Sequence, residues 1–243
     1  MRSDTLSIVV PVYNEADNIR PLFDCIRDDI HVEKEVMVVY DFEEDNTLPV
    51  IREIESNYPF PIAYVRNKYD KGALNAIKTG MEESTGLAVL VMMADLSDGL
   101  EVVDTMYERI RKGESDLVCG SRYMKGGKQH GGPKFKGLLS RTAGVTLHLL
   151  TGIPTHDVTN SFKMYRKTML DHIDIESNGG FEIGMEITVK AYLKGFAISE
   201  VPAEWFDRTE GESRFRMWQW LPHYLHWYLL CIFGKKTRKR SAS

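Results

Sequence analysis

The chain has only three cysteines, Cys25, Cys119 and Cys231, and no CxxC pair among them. That scarcity excludes a disulfide framework and gives no spacing suited to structural zinc or dithiol chemistry, so the thiols read as reduced and buried. There is no excess of positive charge: 31 Lys and Arg stand against 35 Asp and Glu, a formal net charge of -4. A nucleic-acid partner is therefore not expected. No GxGxxG follows the first apolar run, which argues against a dinucleotide-dependent dehydrogenase. The apolar stretch Leu6–Val12 is short and runs into Asn14 and Glu15, so it does not read as a secretory signal, and a cytoplasmic location is expected. Neither an internal repeat nor a low-complexity segment is visible.

What is present is a regular alternation. Apolar, β-branched runs at Leu6–Val12, Glu35–Asp41, Ile62–Arg66, Leu87–Ala94 and Asp116–Gly120 read as strands. Stretches with helical spacing lie between them at Glu15–Asp28, Asn46–Asn57, Lys71–Ser84 and Leu100–Lys112. This rhythm predicts an α/β fold with a mostly parallel central sheet and helices on both faces. At 243 residues, one large domain is expected over 1–214, followed by a tail over 215–243. Further elements are a helix over Phe135–Leu150, a strand at Ser161–Arg166, a helix over Glu182–Leu193 and a strand at Phe196–Pro202.

In open parallel sheets, ligands lie beyond the carboxyl ends of the strands, so the residues just after each strand are the site candidates. Strand one ends in PVYNE, placing Pro11, Tyr13, Asn14 and Glu15 where a nucleobase and ribose can rest. Strand two ends with Asp41, whose carboxylate can accept from a base amino or imino group, while Asp45 reads as a helix cap. After strand three, Arg66, Lys71, Gly72 and Asn75 bring positive charge to a helix start, a setting that holds a diphosphate. Strand four leads into ADLSD, where Asp95 and Asp98 can hold Mg²⁺ or Mn²⁺ against such a diphosphate, or can simply cap the next helix.

The segment Tyr123–Pro133 concentrates glycine with lysine and histidine and reads as a long mobile loop of lid type. The tail Phe215–Phe233 is rich in aromatics but interrupted by Pro222 and by histidines, which makes it a poor membrane-spanning segment. It ends in KKTRKR. Two readings stand for it: a peripheral contact with anionic lipid, or a helix that covers the core or a subunit interface. A homo-oligomer is left open.

Taken together, PVYNE, the VVYD strand, KGALNA, ADLSD, GSRYMKGG, DVTNSFKMYR and GFEIGMEITVK occur in order and resemble the family 2 glycosyltransferases, within them the dolichyl- or polyprenyl-phosphate sugar transferases. The resemblance runs from about Leu6 to about Phe215. It implies a nucleotide-diphospho-sugar transferase (GT-A type) fold, inversion at the anomeric carbon, a divalent metal and a GDP- or UDP-linked sugar donor. Pro11, Tyr13, Glu15 and Asp41 then fall at nucleoside-binding positions and Asp95 at the end of the DxD-type metal motif; Lys71 on the donor diphosphate and Asp98 as a second metal ligand are added from the strand-end reading above. Arg122, Arg141 and Arg208 match basic positions that face phosphates, and Ser213 with Arg214 matches a small-then-basic pair. Two departures stand out. The paired aspartate of strand two reads Tyr40-Asp41, and the DAD motif reads Met93-Ala94-Asp95, which leaves the metal requirement open.

The expected reaction is transfer to a lipid-phosphate acceptor, whose oxygen is already anionic and needs no general base. Asp95, Asp157, Arg122 and Arg208 are the expected catalytic group, and Lys128 and Lys134 would close over the acceptor. Asp157 serves as base if the acceptor is an alcohol, and otherwise orients a loop or supports the metal. His156 reads as structural or exposed. Two alternatives remain: a family 2 transferase with a saccharide or other soluble hydroxyl acceptor, and a non-catalytic nucleotide-sugar-binding subunit.

Overall fold

The computed structural model describes residues 3–207 and 217–236. Arg208, Ser213 and Arg214, and Arg238, Lys239 and Arg240 of the terminal cluster, lie outside the described residues. Strands β1 (Ser3–Pro11), β2 (Lys34–Tyr40), β3 (Ile62–Arg66), β4 (Gly86–Val91), β5 (Leu117–Ser121), β7 (Lys163–Arg166) and β8 (Ile198–Pro202) form one sheet in the order β3-β2-β1-β4-β7-β5-β8. All its pairings are parallel except those of β7, which runs antiparallel between β4 and β5.

The period of two along the strands sorts their side chains between two cores. Leu6, Ile8, Val10, Val36, Val38 and Leu90 pack with helices α1 (Ala16–Asp29), α2 (Thr47–Ile54) and α4 (Val103–Arg111). Val9, Met37, Val39, Val89 and Val91 face α3 (Ala73–Glu83), α6 (Lys167–Leu170) and α7 (Ile183–Leu193). Helices therefore cover both faces, as the apolar rhythm predicts. Full burial of a side chain such as Ile8 stabilises by about 1.5–3 kcal/mol relative to exposure.

A third, smaller core joins α5 (Lys134–Thr151), α7 and α8 (Met217–Phe233) through Leu147, Met185, Val189, Trp227 and Cys231. Of the two readings of the tail, core coverage thus describes its Trp227 and Cys231 side. Gly144 lets α5 come close: a Cβ there would lie 2.1 Å from the His156 carbonyl oxygen. Among the described residues, no helix is long and apolar enough to cross a membrane.

Two details differ from the sequence reading. The segment read as a free lid contains a short strand, β6 (Lys128–His130), paired in parallel with β9 (Glu204–Phe206). Lys128 Nζ and His130 Nε2 both contact the Glu204 carboxylate, at 2.5 and 2.9 Å, and the His130 and Phe206 rings stack at 4.7 Å. The loop is therefore tied at its centre, by partners some 75 positions further along that local composition does not reveal. Secondly, Lys128, expected as a lid cation over an acceptor, is ion-paired with Glu204.

Candidate active site

The chain passes from β1 outward to β2 and β3, then returns to β4 on the other side of β1. The crevice between the β1 and β4 ends is thus the topological switch point where ligands of such sheets bind. Asn14 and Glu15 follow one wall, Asp95 the other.

On the first wall, Pro11 ends β1 and is buried, while the exposed Tyr13 ring meets Phe42 edge-on at 5.4 Å. Lys71 Nζ lies 5.1 Å from the Phe42 ring centre. These three side chains make a ledge with aromatic surface and one cation. Asp45, fully buried, accepts from the Asn14 and Thr47 amides at 3.0 and 2.9 Å, which makes it a loop clamp, in keeping with its reading as a cap. Glu15 receives Asn18 Nδ2 at 2.8 Å. Asp41 is bound on both oxygens, by Asn67 Nδ2 at 2.7 Å and by the Gly72 amide at 2.9 Å. These bonds fix its carboxylate and leave the remaining lone pairs for a ligand. Gly72 has φ +132°, a conformation that favours glycine, and it sets the start of α3 beside Lys71.

On the second wall, the Ser97 amide reaches Asp95 Oδ1 at 3.2 Å, and Leu96 takes φ +59° to turn the chain. Asp98 pairs with Trp205 in an isolated bridge. Burial, then the neighbouring Asp95 charge, pushes the Asp98 carboxyl up to about 7, with Arg122 pulling the other way. Two carboxylates close enough to feel each other at a strand end are a place where a cation relieves repulsion. Among the described residues there is no group of three or more His, Cys, Asp or Glu side chains able to hold a metal alone.

Beyond β5, Arg122, whose side chain is 12% exposed, pairs with the fully buried Asp157. Arg122 Nε donates to Asp157 Oδ2 at 2.7 Å, one terminal nitrogen reaches Oδ1 at 3.0 Å, and the Arg122 amide adds a bond of 3.1 Å. Burial alone would raise the Asp157 carboxyl, but the Arg122 charge and hydrogen bonds outweigh it and hold the group below its usual value. The same Arg122 nitrogen touches Ser140 Oγ at 3.1 Å, and Ser140 bonds Thr159 and receives Tyr123 Oη at 2.9 Å. His156 is held by Glu200, with Nδ1 at 2.6 Å from Oε1 and its amide at 2.8 Å from Oε2.

Arg122 and Tyr123 of this network line a cavity of about 470 Å³ together with Lys128, Gln129, Lys134 and Arg141, among others. Among the described residues, neither Lys134 nor Arg141 has a carboxylate partner. These two exposed side chains give the cavity a cationic rim. The structure thus groups the predicted site residues into a ledge (Pro11, Tyr13, Glu15, Asp41, Lys71), a carboxylate pair (Asp95, Asp98) and a basic pocket (Arg122, Asp157, Arg141). Several members were not singled out from sequence. Phe42 and Asn67 on the ledge have no distinguishing local signal. Tyr123 and Ser140 flank Arg122 and Arg141, and that adjacency was the available clue.

The mostly parallel α/β sheet carries acidic groups at the β4 end and a basic pocket beyond β5, both beyond the carboxyl ends of the strands. The family model "Glycosyl transferase family 2" matches residues 7–174, and the chain belongs to that family of transferases. It is 33% identical over 216 residues to "Dolichol-phosphate mannosyltransferase" of Pyrococcus furiosus, an alignment covering 87% of this chain and 59% of that protein. The chain thus spans under two thirds of the length of that relative. It is 29% identical over 215 residues to "Polyprenol monophosphomannose synthase" of Mycolicibacterium smegmatis, covering 85% and 79% of the two chains. Among solved structures, it resembles glucosyl-3-phosphoglycerate synthase from Mycobacterium tuberculosis in complex with Mn²⁺, uridine diphosphate and glucosyl-3-phosphoglycerate. There the TM-score is 0.69 with 17% identity, over 97% of this chain and 81% of that one, a likeness of fold. The GT-A type fold expected from the motifs is the fold of the chain.

Proposed function

We propose that the chain is an inverting glycosyltransferase that moves a sugar from a nucleoside-diphosphate sugar to a polyprenyl or dolichyl phosphate. The observation that carries this reading is the cationic cavity at Arg122, Lys134 and Arg141, set next to a carboxylate whose lone pairs are already engaged. A pocket of that charge suits a phosphate, and the names of both curated relatives point to lipid-phosphate acceptors.

The donor lies across the switch point. Its base rests on Tyr13 and Phe42 and meets Asp41, and its diphosphate faces Lys71 and the α3 start. The Asp95 and Asp98 carboxylates fit Mg²⁺ or Mn²⁺, which binds through one or two carboxylates and completes its shell with substrate phosphates and water. Such an ion supplies charge neutralisation of the departing diphosphate. On the acceptor side, Arg141 and Lys134 bind the lipid phosphate and turn one of its oxygens toward the anomeric carbon. That oxygen forms the new bond from the face opposite the leaving group. The old carbon–oxygen bond breaks with its electron pair on the diphosphate, and the configuration inverts. No proton has to be removed. Asp157 therefore works as a positioning residue that aims Arg122, and its depressed proton affinity and filled lone pairs make it a poor base. Arg208, Ser213 and Arg214 are proposed to complete the phosphate contacts.

The acceptor is a membrane lipid, and the surface next to the cavity suits one. On α8, Leu221, Leu225, Leu229 and Phe233 are exposed at fourfold spacing, while α5 exposes Phe135, Leu138, Leu139, Leu149 and Leu150. The exposed Lys235 and Lys236 follow directly. This apolar face with a basic edge is proposed to sit peripherally in an anionic leaflet, at its cytoplasmic side.

Purified protein incubated with Mn²⁺, a short polyprenyl phosphate and labelled GDP-mannose or UDP-glucose tests the reading. A glycosyl-phospholipid product from either donor is expected. Failure of every donor to transfer to the lipid, together with transfer to a soluble sugar, overturns it.

A further inference from the structure

The first residue of β7 is a fully buried lysine in the middle of the sheet, a place where an apolar side chain would be ordinary. Lys163 pairs with Val91 of β4 and Cys119 of β5, so it sits at the end of the sheet where the site lies. Burying an ammonium is costly unless its donors are satisfied. Burial pushes its proton affinity down, and Cys119 and Asp157 push back. Its Nζ donates to the Val158 carbonyl at 3.1 Å and to the Asn160 carbonyl. Both carbonyls belong to the loop that carries Asp157, Thr159 and Asn160. That loop is tied in turn to β5 by Asn160 Nδ2 on the Gly120 carbonyl at 2.9 Å, and to Arg122 by Asp157.

Lys163 anchors from below the loop that aims Arg122 into the cavity, since two of the loop's carbonyls close on a side chain fixed in the sheet. We infer that Lys163 is a positioning residue of the acceptor-phosphate pocket, acting on the phosphate through the Asp157 loop without touching the lipid.

This inference rests on the reading of that pocket as an acceptor site, and the two fail differently. Steady-state kinetics of Lys163→Met and Lys163→Arg are compared with the parent protein, varying polyprenyl phosphate and the donor separately, with melting followed alongside. Lys163→Met is expected to raise the acceptor KM by about tenfold while leaving the donor KM within twofold. Lys163→Arg, which keeps donors for both carbonyls, is expected to recover most of that loss. If Lys163→Met melts before assay, the inference is read from Lys163→Arg and Lys163→Gln. Gln, too short to reach both carbonyls, must show the raised acceptor KM where Arg does not. An unchanged acceptor KM, or equal effects on donor and acceptor, overturns the role of Lys163. Absence of transfer to polyprenyl phosphate by the parent protein overturns the underlying reading instead.

Discussion

The two sides of the crevice are built by opposite means. The ledge after β1 and β2 is assembled from neutral and single-carboxylate hydrogen bonds over a partly exposed surface, with Asp41 steadied by Asn67 and Gly72 and Tyr13 lying open. The pocket beyond β5 is held by a buried ion pair, Arg122 with Asp157, backed by a buried lysine. A ledge of the first kind can lose one contact and keep its shape. A buried charge that loses its partner cannot, because the stranded ion keeps its full desolvation cost.

The largest effect should therefore come from Asp157→Ala. It leaves Arg122 buried and unpaired, and a loss of about 3–5 kcal/mol is expected by denaturant unfolding, with acceptor use abolished. A pH signature accompanies it. The Asp157 proton affinity is depressed in the fold, so its contribution to stability is complete above ~pH 4 and is lost as pH falls through the folded value. The parent protein should lose that increment in acid, and the variant should show no corresponding loss. Equal acid sensitivity of the two would contradict the role assigned to the pair.

Next in size is Asp95→Ala, expected to remove the Mn²⁺-dependent part of the donor-induced rise in melting temperature while leaving the metal-free part. An unchanged Mn²⁺ response would move the ion elsewhere. Arg141→Ala follows, with an expected rise in acceptor KM of about tenfold, or ~1.4 kcal/mol, and an unaltered donor KM. The smallest effect belongs to the exposed ledge. Tyr13→Ala is expected to weaken donor binding by about 0.5–1.5 kcal/mol in calorimetry with little change in stability. If Tyr13→Ala destabilised the fold as much as Asp157→Ala, the contrast between the two sides would collapse.

The same contrast explains what could be read in advance. On the side of the β1, β2 and β4 ends, residues sit directly after strands that announce themselves by apolar β-branched runs, so Tyr13, Glu15, Asp41 and Asp95 were legible as strand-end groups. The pocket beyond β5 gathers Arg122, Ser140, Asp157, Thr159 and Lys163 from three separate segments. Arg122 and Asp157 were visible as individual candidates, but their bond was not, because nothing local encodes a partner 35 positions away. Lys163 was hidden within SFKMYR, where alternation marks a strand and gives no hint that its lysine turns inward. The β6–β9 pairing escaped for a similar reason: a glycine-rich composition describes a loop until a distant strand binds it. The antiparallel insertion of β7 likewise depends on long-range order that the period of its side chains does not carry.

Whether the basic pocket receives an anion that attacks without a base can be decided by offering the protein two acceptors that differ in one group. With Mn²⁺ and the donor that gives the largest melting shift, polyprenyl phosphate and the matching neutral polyprenol are compared at equal concentration in the same detergent. Transfer to the phosphate and none to the alcohol is the expected result. Equal transfer to the alcohol, lost in a folded Asp157→Asn variant, would show that a base operates here and that the pocket was misread.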